Sequence, residues 1–427
     1  MNSLILFYKK KTSFRYRLFK EVISEFLRKR FHFLFCEHVL KYLNMEFHQI
    51  DCLKKNITFF KILGIWPSKE SSRLYKYYST IILIIFHVFH ISIYTINFTF
   101  LPVKLDVYAN EMTVYMSDVI VVFKALMFYT KRKKVDAILE MLESEIFQSN
   151  TPEGIEIIKK AKKTSLLYRT MTEGISYFCV SMNALSPIAM YFVFGVELQY
   201  PITDYQFIPE QYRTQLFYPA YVFQIASITV HMLCNVNIDT FLLGIMFLVI
   251  AQLDILDLNS RKVGDLKEYT PLLRRINKPN DNDVIEINKC IKHYTAISEF
   301  CKAIQEAFSE MLFVQFGLGS GLLCACLFRF TLPADTVYYM FLSSYMTVMT
   351  LQMMVPCCQR ITFAIYDSNW IPRSRQFKSN MKLLVERATR PLSIMCGKRF
   401  PLSLLTFASI MNTAYSFYTL LRNMQSH

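Results

Sequence analysis

Seven stretches of the sequence are long and apolar enough to cross a lipid bilayer as α-helices. A spanning helix needs about 20 mostly apolar residues to cross a hydrocarbon core of ~30 Å. The seven stretches lie near residues 77–100, 111–129, 171–195, 217–250, 300–328, 337–357 and 403–422. The composition agrees, because 53% of the residues are hydrophobic and only 19% are charged. The sequence therefore predicts an all-α membrane protein with seven transmembrane helices.

The basic residues alternate between the segments that separate these stretches. The segment before the first stretch carries 16 Lys and Arg residues, and the second, fourth and sixth connections carry 9, 8 and 9. Each of the other connections carries one, and a single arginine, Arg422, lies at the C-terminal end of the last stretch. Because cytosolic loops retain Lys and Arg, this pattern predicts a cytosolic N-terminus and an extracellular C-terminus. It also accounts for the net charge of +15 without a nucleic-acid partner.

The fourth stretch is longer than a bilayer is thick. A helix over residues 217–250 would be about 51 Å long at 1.5 Å per residue. An amphipathic run over 251–258 continues it, and another over 287–308 leads into the fifth stretch. We therefore expect long helices 4 to 6 to extend into a cytosolic anchor region.

The N-terminal part of the chain divides at Met45. Residues 1–44 are basic and contain no spanning stretch, so we expect a disordered extension or one that is absent from the native protein. Residues 45–76 are expected to form a cytosolic segment, and residues 77–427 the seven-helix transmembrane domain.

Five sequence motifs carry a resemblance to a known family. The chain reads Val-Pro-Cys-Cys-Gln-Arg-Ile-Thr-Phe-Ala-Ile-Tyr-Asp-Ser-Asn-Trp over 355–370, Arg-Pro-Leu-Ser over 390–393 and Gly-Lys-Arg-Phe-Pro-Leu-Ser-Leu over 397–404. It continues with Thr-Ala-Tyr-Ser-Phe-Tyr-Thr-Leu-Leu over 413–421, and an earlier segment reads Lys-Ile-Leu-Gly-Ile-Trp-Pro over 61–67. Together these motifs closely resemble the insect odorant receptor family.

The resemblance implies an odorant-gated, non-selective cation channel. The subunit would form a heterotetramer with the odorant receptor co-receptor, through the cytosolic parts of helices 4 to 7. It would lie in the plasma membrane of an olfactory neuron's dendrite and detect small hydrophobic molecules, volatile or cuticular. The segment 251–289 is much shorter than the co-receptor's insertion, which indicates a tuning subunit. Leu405 and Asn412 stand where the family often has an acidic and a basic residue, so ion preference is open.

One face of the last predicted helix carries mostly hydroxyl groups. Residues recur on it at spacings of three and four: Thr406, Ser409, Thr413, Ser416 and Leu420. A polar stripe on a spanning helix contacts either water or another helix. Small-residue packing is therefore one interpretation. The resemblance implies the other, in which Thr413 and Ser416 line a pore, Leu420 forms its apolar gate and Asn423 lies at its mouth.

The resemblance also implies a ligand site in the outer half of the bundle, between helices 2, 3, 4 and 6. The residues at that depth are Tyr115, Met116, Met182, Ser186, Tyr221, Gln224, Tyr338, Leu342 and Tyr345. Any of these side chains could instead face lipid or the helix core. Because Met and aromatic walls act mainly through dispersion, we expect ligand choice to follow shape more than hydrogen bonding.

Polar residues inside the stretches have competing explanations. Asp118 is either functional or a structural acid paired with Lys104 or a hydroxyl group. Lys124 is expected to reach the cytosolic interface with its ammonium group. His231 and Asp239 lie on one face of helix 4, where a buried structural contact competes with a proton relay.

Other functions are less compatible with the sequence. It contains no phosphate-binding glycine loop, His-Glu-x-x-His or Gly-x-Ser-x-Gly motif, so an enzyme is not expected. No cofactor or metal is expected either. A G-protein-coupled type of chemoreceptor would require the opposite orientation. A gustatory-type receptor channel is the other alternative.

Overall fold

The computed structural model is almost entirely α-helical over the residues that it describes. These are residues 49–67, 71–102, 105–195, 197–265, 281–331, 336–358, 375–388, 394–397 and 399–425. The helices are α1 Asp51–Ile62, α2 Arg73–Phe98, α3 Leu105–Thr130, α4 Arg132–Glu143, α5 Pro152–Phe194, α6 Glu210–Gln215, α7 Phe217–Asp265, α8 Asp281–Arg329, α9 Thr336–Cys358, α10 Arg375–Ala388 and α11 Leu404–Gln425. The prediction of a mostly helical protein is therefore confirmed.

Five of these helices, α2, α3, α5, α7 and α8, are long and apolar enough to cross a membrane. Helices α9 and α11 have 23 and 22 residues. At 1.5 Å per residue they are about 33 Å long, which also matches the thickness of a bilayer. Each of the seven predicted stretches is occupied by a helix to within two residues. The count of seven spans remains a prediction.

Three helices are much longer than a bilayer is thick. Helices α7 and α8 have 49 residues each, and α5 has 43. The length of α5 was not predicted, because its first half is charged and only the part from residue 171 is apolar. Thr151 starts this helix by accepting a hydrogen bond from the backbone of Gly154, and Gly195 ends it with a φ of +68°. The helix of the sixth predicted stretch, α9, is described only as far as Cys358. Its predicted extension into the cytosol therefore lies outside the described residues.

Helix α1 is tied to the bundle by a buried arginine. Arg169 of α5 donates hydrogen bonds to the side-chain oxygens of Asn56 on α1 and, at 2.8 Å, of Asn237 on α7. The amide of Asn56 donates in turn to Asn237 O and to Thr240 Oγ1. Glu173 binds Arg169 at 2.7 Å and balances its charge. These contacts fix the segment before α2 against α5 and α7.

The Lys-Ile-Leu-Gly-Ile-Trp-Pro motif forms a turn that inserts Trp66 into the core. Gly64 has a φ of +71°, and an added Cβ would lie 3.0 Å from the backbone of Ser79. Beyond this turn the Trp66 ring stacks on Phe60 and lies 5.8 Å from the ring of Phe128. The motif therefore joins α1 to the α3 side of the bundle.

A short antiparallel hairpin precedes the last helix. Strands β1 Met395–Cys396 and β2 Phe400–Pro401 pair in the register Met395↔Pro401. Gly397 turns between them with a φ of +58°, and an added Cβ would clash with Phe313 at 2.6 Å. The Ser309 hydroxyl donates to Met395 O at 2.7 Å. The hairpin therefore docks on α8 and places the start of α11. The motif residues 359–370 and the extension 1–44 lie outside the described residues.

Candidate ligand cavity

A cavity lies between helices α3, α5, α7 and α9. Its volume is about 90 Å³. Since a cavity needs roughly 10–15 Å³ to hold one water, this one has room for several non-hydrogen atoms. Its wall is largely aliphatic and aromatic, with these polar members: Thr113, Ser117, Asp118, Ser176, Asn183, His231, Asn235 and Tyr345. An apolar wall with a few polar groups is typical of small-molecule sites.

Asp118 lies in this wall between two histidines from other helices. Its Oδ2 is 3.1 Å from His90 Nε2 of α2, and its Oδ1 is 2.7 Å from His231 Nδ1 of α7. The three residues are buried, and one ring nitrogen from each histidine and one carboxylate oxygen of Asp118 lie within 4.8 Å of one another. Histidine was not among the expected partners of Asp118, and the one residue expected as a partner, Lys104, lies outside the described residues. No sequence spacing could have identified these partners, because the three residues lie on three helices.

The geometry of His231 places one extra proton in this cluster. Its Nδ1 faces Asp118, and its Nε2 is 2.8 Å from the carbonyl oxygen of Phe86. A neutral imidazole has a single N–H donor. Both contacts are therefore satisfied only when a further proton lies on His231 or on Asp118. In either case the negative charge of the carboxylate is matched within the cluster.

Lys124 and Asp239 form a buried ion pair next to the cavity. The ammonium nitrogen of Lys124 is 2.7 Å and 2.9 Å from the two carboxylate oxygens of Asp239 and 2.7 Å from Asn235 Oδ1. The Lys124 side chain is 1% exposed. The expectation that it extends to the membrane interface is therefore wrong, because its charge is compensated inside the bundle. Asp239 and His231 each make a buried contact with a different residue of α3, Lys124 and Asp118.

Asn235 connects the cavity to this ion pair. It lines the cavity, accepts from Lys124 and donates from Nδ2 to Gln352 Oε1 of α9 at 3.3 Å. Gln315 of α8 donates to Asp239 at 3.5 Å. Side chains of α3, α7, α8 and α9 thus meet in one polar network beside the cavity.

One of the nine residues predicted to bind ligand, Tyr345, lines the cavity. Behind it lies a small apolar cluster that includes Leu342 at its centre, with Met116 and Tyr338 packed against it. Arg329 holds the Tyr338 ring, with its Nε 3.1 Å from the tyrosine oxygen. These three residues support the wall that carries Tyr345.

The other five predicted ligand residues are placed elsewhere. Tyr115 contacts α2, where its hydroxyl is 3.0 Å from Thr95 Oγ1. Tyr221 donates to Ala184 O at 2.9 Å, and Gln224 binds the backbone of residues 202 and 203 through both ends of its amide. Two more, Met182 and Ser186, are half-buried on α5 outside the cavity wall. The helical repeat of the sequence alone could not distinguish these five positions from the positions that face the cavity.

The predicted pore residues lie on the exposed side of α11. Thr413 and Ser416 are exposed and donate to backbone carbonyls of their own helix at 2.9 Å. Leu420 is 56% exposed, whereas Ala414 on the other side is fully buried. Asn423 is in the helix, and its side chain lies outside the described part. The hydroxyl-bearing face is therefore uncovered in the single chain.

A multi-pass helical membrane protein with a ligand-sized cavity is the class that these features define. A family model described as 7tm Odorant receptor matches residues 104–415, well over half of the chain. The chain belongs to this insect odorant receptor family. The resemblance predicted from the C-terminal motifs is thereby confirmed, and the family is one of receptors rather than of enzymes.

Individual relatives agree with this assignment. Odorant receptor 2a of Drosophila melanogaster is 23% identical over 83% of this chain and 92% of its own length. Odorant receptor 30a of the same species is 24% identical over 71% of this chain and 80% of its own. The solved structure of olfactory receptor OR5 from Machilis hrabei in complex with eugenol superposes with a TM-score of 0.73. It is 17% identical and covers 87% of this chain and 97% of its own, which shows a shared fold.

Proposed function

We propose that this chain is an odorant-tuning subunit of a non-selective cation channel. The observation that supports this most directly is the mixed polar and apolar cavity between α3, α5, α7 and α9. In this proposal the seven helices α2, α3, α5, α7, α8, α9 and α11 span the membrane. The N-terminus is cytosolic and the C-terminus extracellular, as the basic residues indicate. The protein acts in the dendrite of an olfactory neuron.

A small hydrophobic odorant occupies the cavity and contacts Tyr345 directly. Met116, Tyr338 and Leu342 determine the position of the Tyr345 ring from behind. The other five predicted residues influence ligand selection indirectly, because they hold the surrounding helices and one loop in place: Tyr115, Met182, Ser186, Tyr221 and Gln224. Gln224, for example, fixes the segment at residues 202 and 203 to α7.

The uncovered face of α11 contributes to a central pore. The channel forms as a heterotetramer with the odorant receptor co-receptor, assembled through the cytosolic parts of α7, α8, α9 and α11. Thr413 and Ser416 line the conduit, Leu420 supplies an apolar constriction and Asn423 lies at the mouth. The polar network around Lys124 links the cavity to α8 and α9, which both pack against α11.

Co-expression with the co-receptor tests the function. Cells that carry both subunits are expected to give inward, non-selective cation currents to members of an odorant panel. Cells that carry the co-receptor alone are expected to respond to a co-receptor agonist and not to those odorants. Identical responses with and without this chain would contradict the proposal. So would a C-terminal epitope that antibody reaches only after permeabilisation.

Replacing Leu420 with Ala is expected to raise the current recorded without odorant several-fold. The smaller side chain widens an apolar constriction that closes by excluding water. Whole-cell recording in co-expressing cells measures the effect. Leu404→Ala is the control, because this 51%-exposed leucine lies on the opposite side of the same helix. A Leu420 variant with the resting current of the Leu404 variant would rule out the gate.

A further inference from the structure

The gap between His231 and Asp118 requires a cation. A neutral His231 has one N–H for two acceptors, the carbonyl oxygen of Phe86 at 2.8 Å from Nε2 and Asp118 Oδ1 at 2.7 Å from Nδ1. When Nε2–H donates to Phe86 O, the lone pair of Nδ1 points at the carboxylate. Two acceptors at this distance repel each other unless a cation lies between them. A proton meets this requirement, and so does a metal ion bound to the same lone pairs.

The cluster of His90, Asp118 and His231 has the ligands and the spacing of a zinc site. Two imidazole nitrogens and one carboxylate oxygen form a ligand set known from zinc enzymes, in which water takes the fourth position. One such atom from each residue lies within 4.8 Å of the others. A tetrahedral zinc ion holds its ligand atoms about 3.3 Å apart, so side-chain shifts of about 1 Å close the site.

Neighbouring groups fix the orientation of His231. Metal-binding histidines usually donate their other ring N–H to a carbonyl or carboxylate, and the contact between His231 Nε2 and Phe86 O has this form. The ring of His87 lies parallel to that of His231, with an angle of 9° and ring centroids 5.0 Å apart. The stacked ring restricts rotation of the His231 imidazole, so its Nδ1 stays directed at Asp118.

The cavity beside the cluster provides space for a fourth ligand. Asp118 and His231 both line it, and its volume of about 90 Å³ accommodates a metal-bound water molecule. The ammonium group of Lys124, on the same helix as Asp118, is bound by Asp239. The carboxylate of Asp118 therefore remains for the two histidines and for a metal ion.

We propose that His90, Asp118 and His231 bind one Zn²⁺ ion. The ion replaces the proton between His231 and Asp118, which passes to solvent. Imidazole nitrogens favour zinc and copper, whereas Mg²⁺ and Ca²⁺ prefer sites built from oxygen atoms. The bound ion joins α2, α3 and α7 beside the cavity. This inference does not depend on the proposed odorant-receptor function, and it differs from the expectation that no metal is bound.

Metal content and thermal unfolding test the site. The complex of this chain with the co-receptor is purified in detergent without a histidine tag, stripped with a chelator and titrated with Zn²⁺. It is expected to bind one zinc ion per copy of this chain that the complex carrying Asp118→Asn does not bind. Zinc at about 100 times its dissociation constant is expected to raise the melting temperature by about 3–5 °C. Mg²⁺ and Ca²⁺ are expected to leave it unchanged.

Two variants remove a ligand and keep the hydrogen bonds of the cluster. In Asp118→Asn the amide donates to His231 Nδ1 and its oxygen accepts from His90, but an uncharged amide is a much weaker zinc ligand than a carboxylate. In His90→Gln the side-chain amide can still donate to Asp118. Both variants are expected to lose the zinc ion and the zinc-dependent rise in melting temperature.

His293→Gln is the matched control. His293 is a buried histidine of α8 that lies outside the cluster, and its Nε2 is 3.0 Å from Gln252 Oε1. The glutamine amide can donate to the same oxygen. This variant is expected to keep both the zinc ion and the rise in melting temperature.

X-ray absorption at the zinc edge distinguishes the proposed site from binding to cysteine. The proposed ligands place nitrogen and oxygen at about 2.0–2.2 Å from zinc, whereas a thiolate sulfur lies at about 2.3 Å. A sulfur shell would overturn the inference, as would a native complex that binds no more zinc than the Asp118→Asn complex. A zinc-dependent rise that persists in both ligand variants would also overturn it. None of these outcomes affects the odorant currents, so the proposed function is tested separately.

Discussion

Replacing Lys124 with Met is expected to remove most of the folded receptor from the cell surface. The substitution leaves the Asp239 carboxylate, which is 5% exposed, buried without its cation. Breaking a buried ion pair from one side costs about 3–5 kcal/mol. Since folded proteins are stable by only about 5–15 kcal/mol, this loss is a large fraction of the total. Surface biotinylation and the melting temperature of receptor solubilised in detergent measure the effect.

Two further variants separate the ion pair from side-chain size. Lys124→Met combined with Asp239→Leu removes both charges and is expected to recover much of the lost stability, because well-packed apolar pairs often replace buried ion pairs without penalty. Lys134→Met is the surface control, since its bridge to Glu306 joins two side chains that are 51% and 65% exposed. Such pairs contribute about 0–1 kcal/mol. A Lys124 variant as stable as the Lys134 variant would show that the buried pair is dispensable.

The helices were predictable because their signal is local. Apolar stretches of bilayer length identified the positions of α2, α3, α7, α8, α9 and α11 from the sequence alone. The prediction failed for the first half of α5, where residues 152–170 are charged and the helix depends on contacts with its neighbours. Arg169 illustrates this dependence, because it is buried by Asn56 and Asn237 from distant parts of the chain. Those partners cannot be identified from the sequence around Arg169.

The residues that line the cavity were harder to predict than the helices around it. The family resemblance implied a ligand site between helices 2, 3, 4 and 6, and a cavity lies between the corresponding helices α3, α5, α7 and α9; that ligand binds there stays a prediction. Which side chain faces inward depends on the rotation of each long helix about its axis. At 100° per residue, an error of one position moves a side chain to another face. This explains why Tyr345 lines the cavity while Tyr115 and Tyr221 contact other helices.

The partners of the buried polar residues were even harder to predict from the sequence. Lys124, Asp118, His231 and Asp239 were each recognised as unusual inside an apolar stretch, because charges in membrane helices are costly. Their partners could not be assigned, since α2, α3 and α7 each supply members and the pairing depends on how the helices pack. Asn235 had no signal of its own, although it connects the cavity to the ion pair.

Replacing Asp118 with Leu is expected to destabilise the receptor by about 3 kcal/mol, whereas Asp118→Asn is expected to cost much less. The leucine leaves His90 Nε2 and His231 Nδ1 buried without an acceptor, and an unsatisfied buried group costs about 1–3 kcal/mol. Asparagine keeps the shape and one acceptor oxygen, which His90 can use. Its amide N–H can donate to His231 Nδ1 while His231 Nε2–H donates to Phe86 O, so every contact survives without the extra proton.

The comparison of the two Asp118 variants tests the proton assignment as well as the stability. If the cluster needs only matched donors and acceptors, the Asn variant should fold, reach the surface and melt within a few degrees of the native chain. The Leu variant should melt well below it. Thermal unfolding of the solubilised receptor is the suitable measurement, because Asp118 also lines the cavity and a ligand response would mix two effects. Leu and Asn variants that both melt with the native chain would show that the histidines do not depend on this carboxylate. Leu and Asn variants that both melt well below the native chain would instead show that the cluster requires the charge itself.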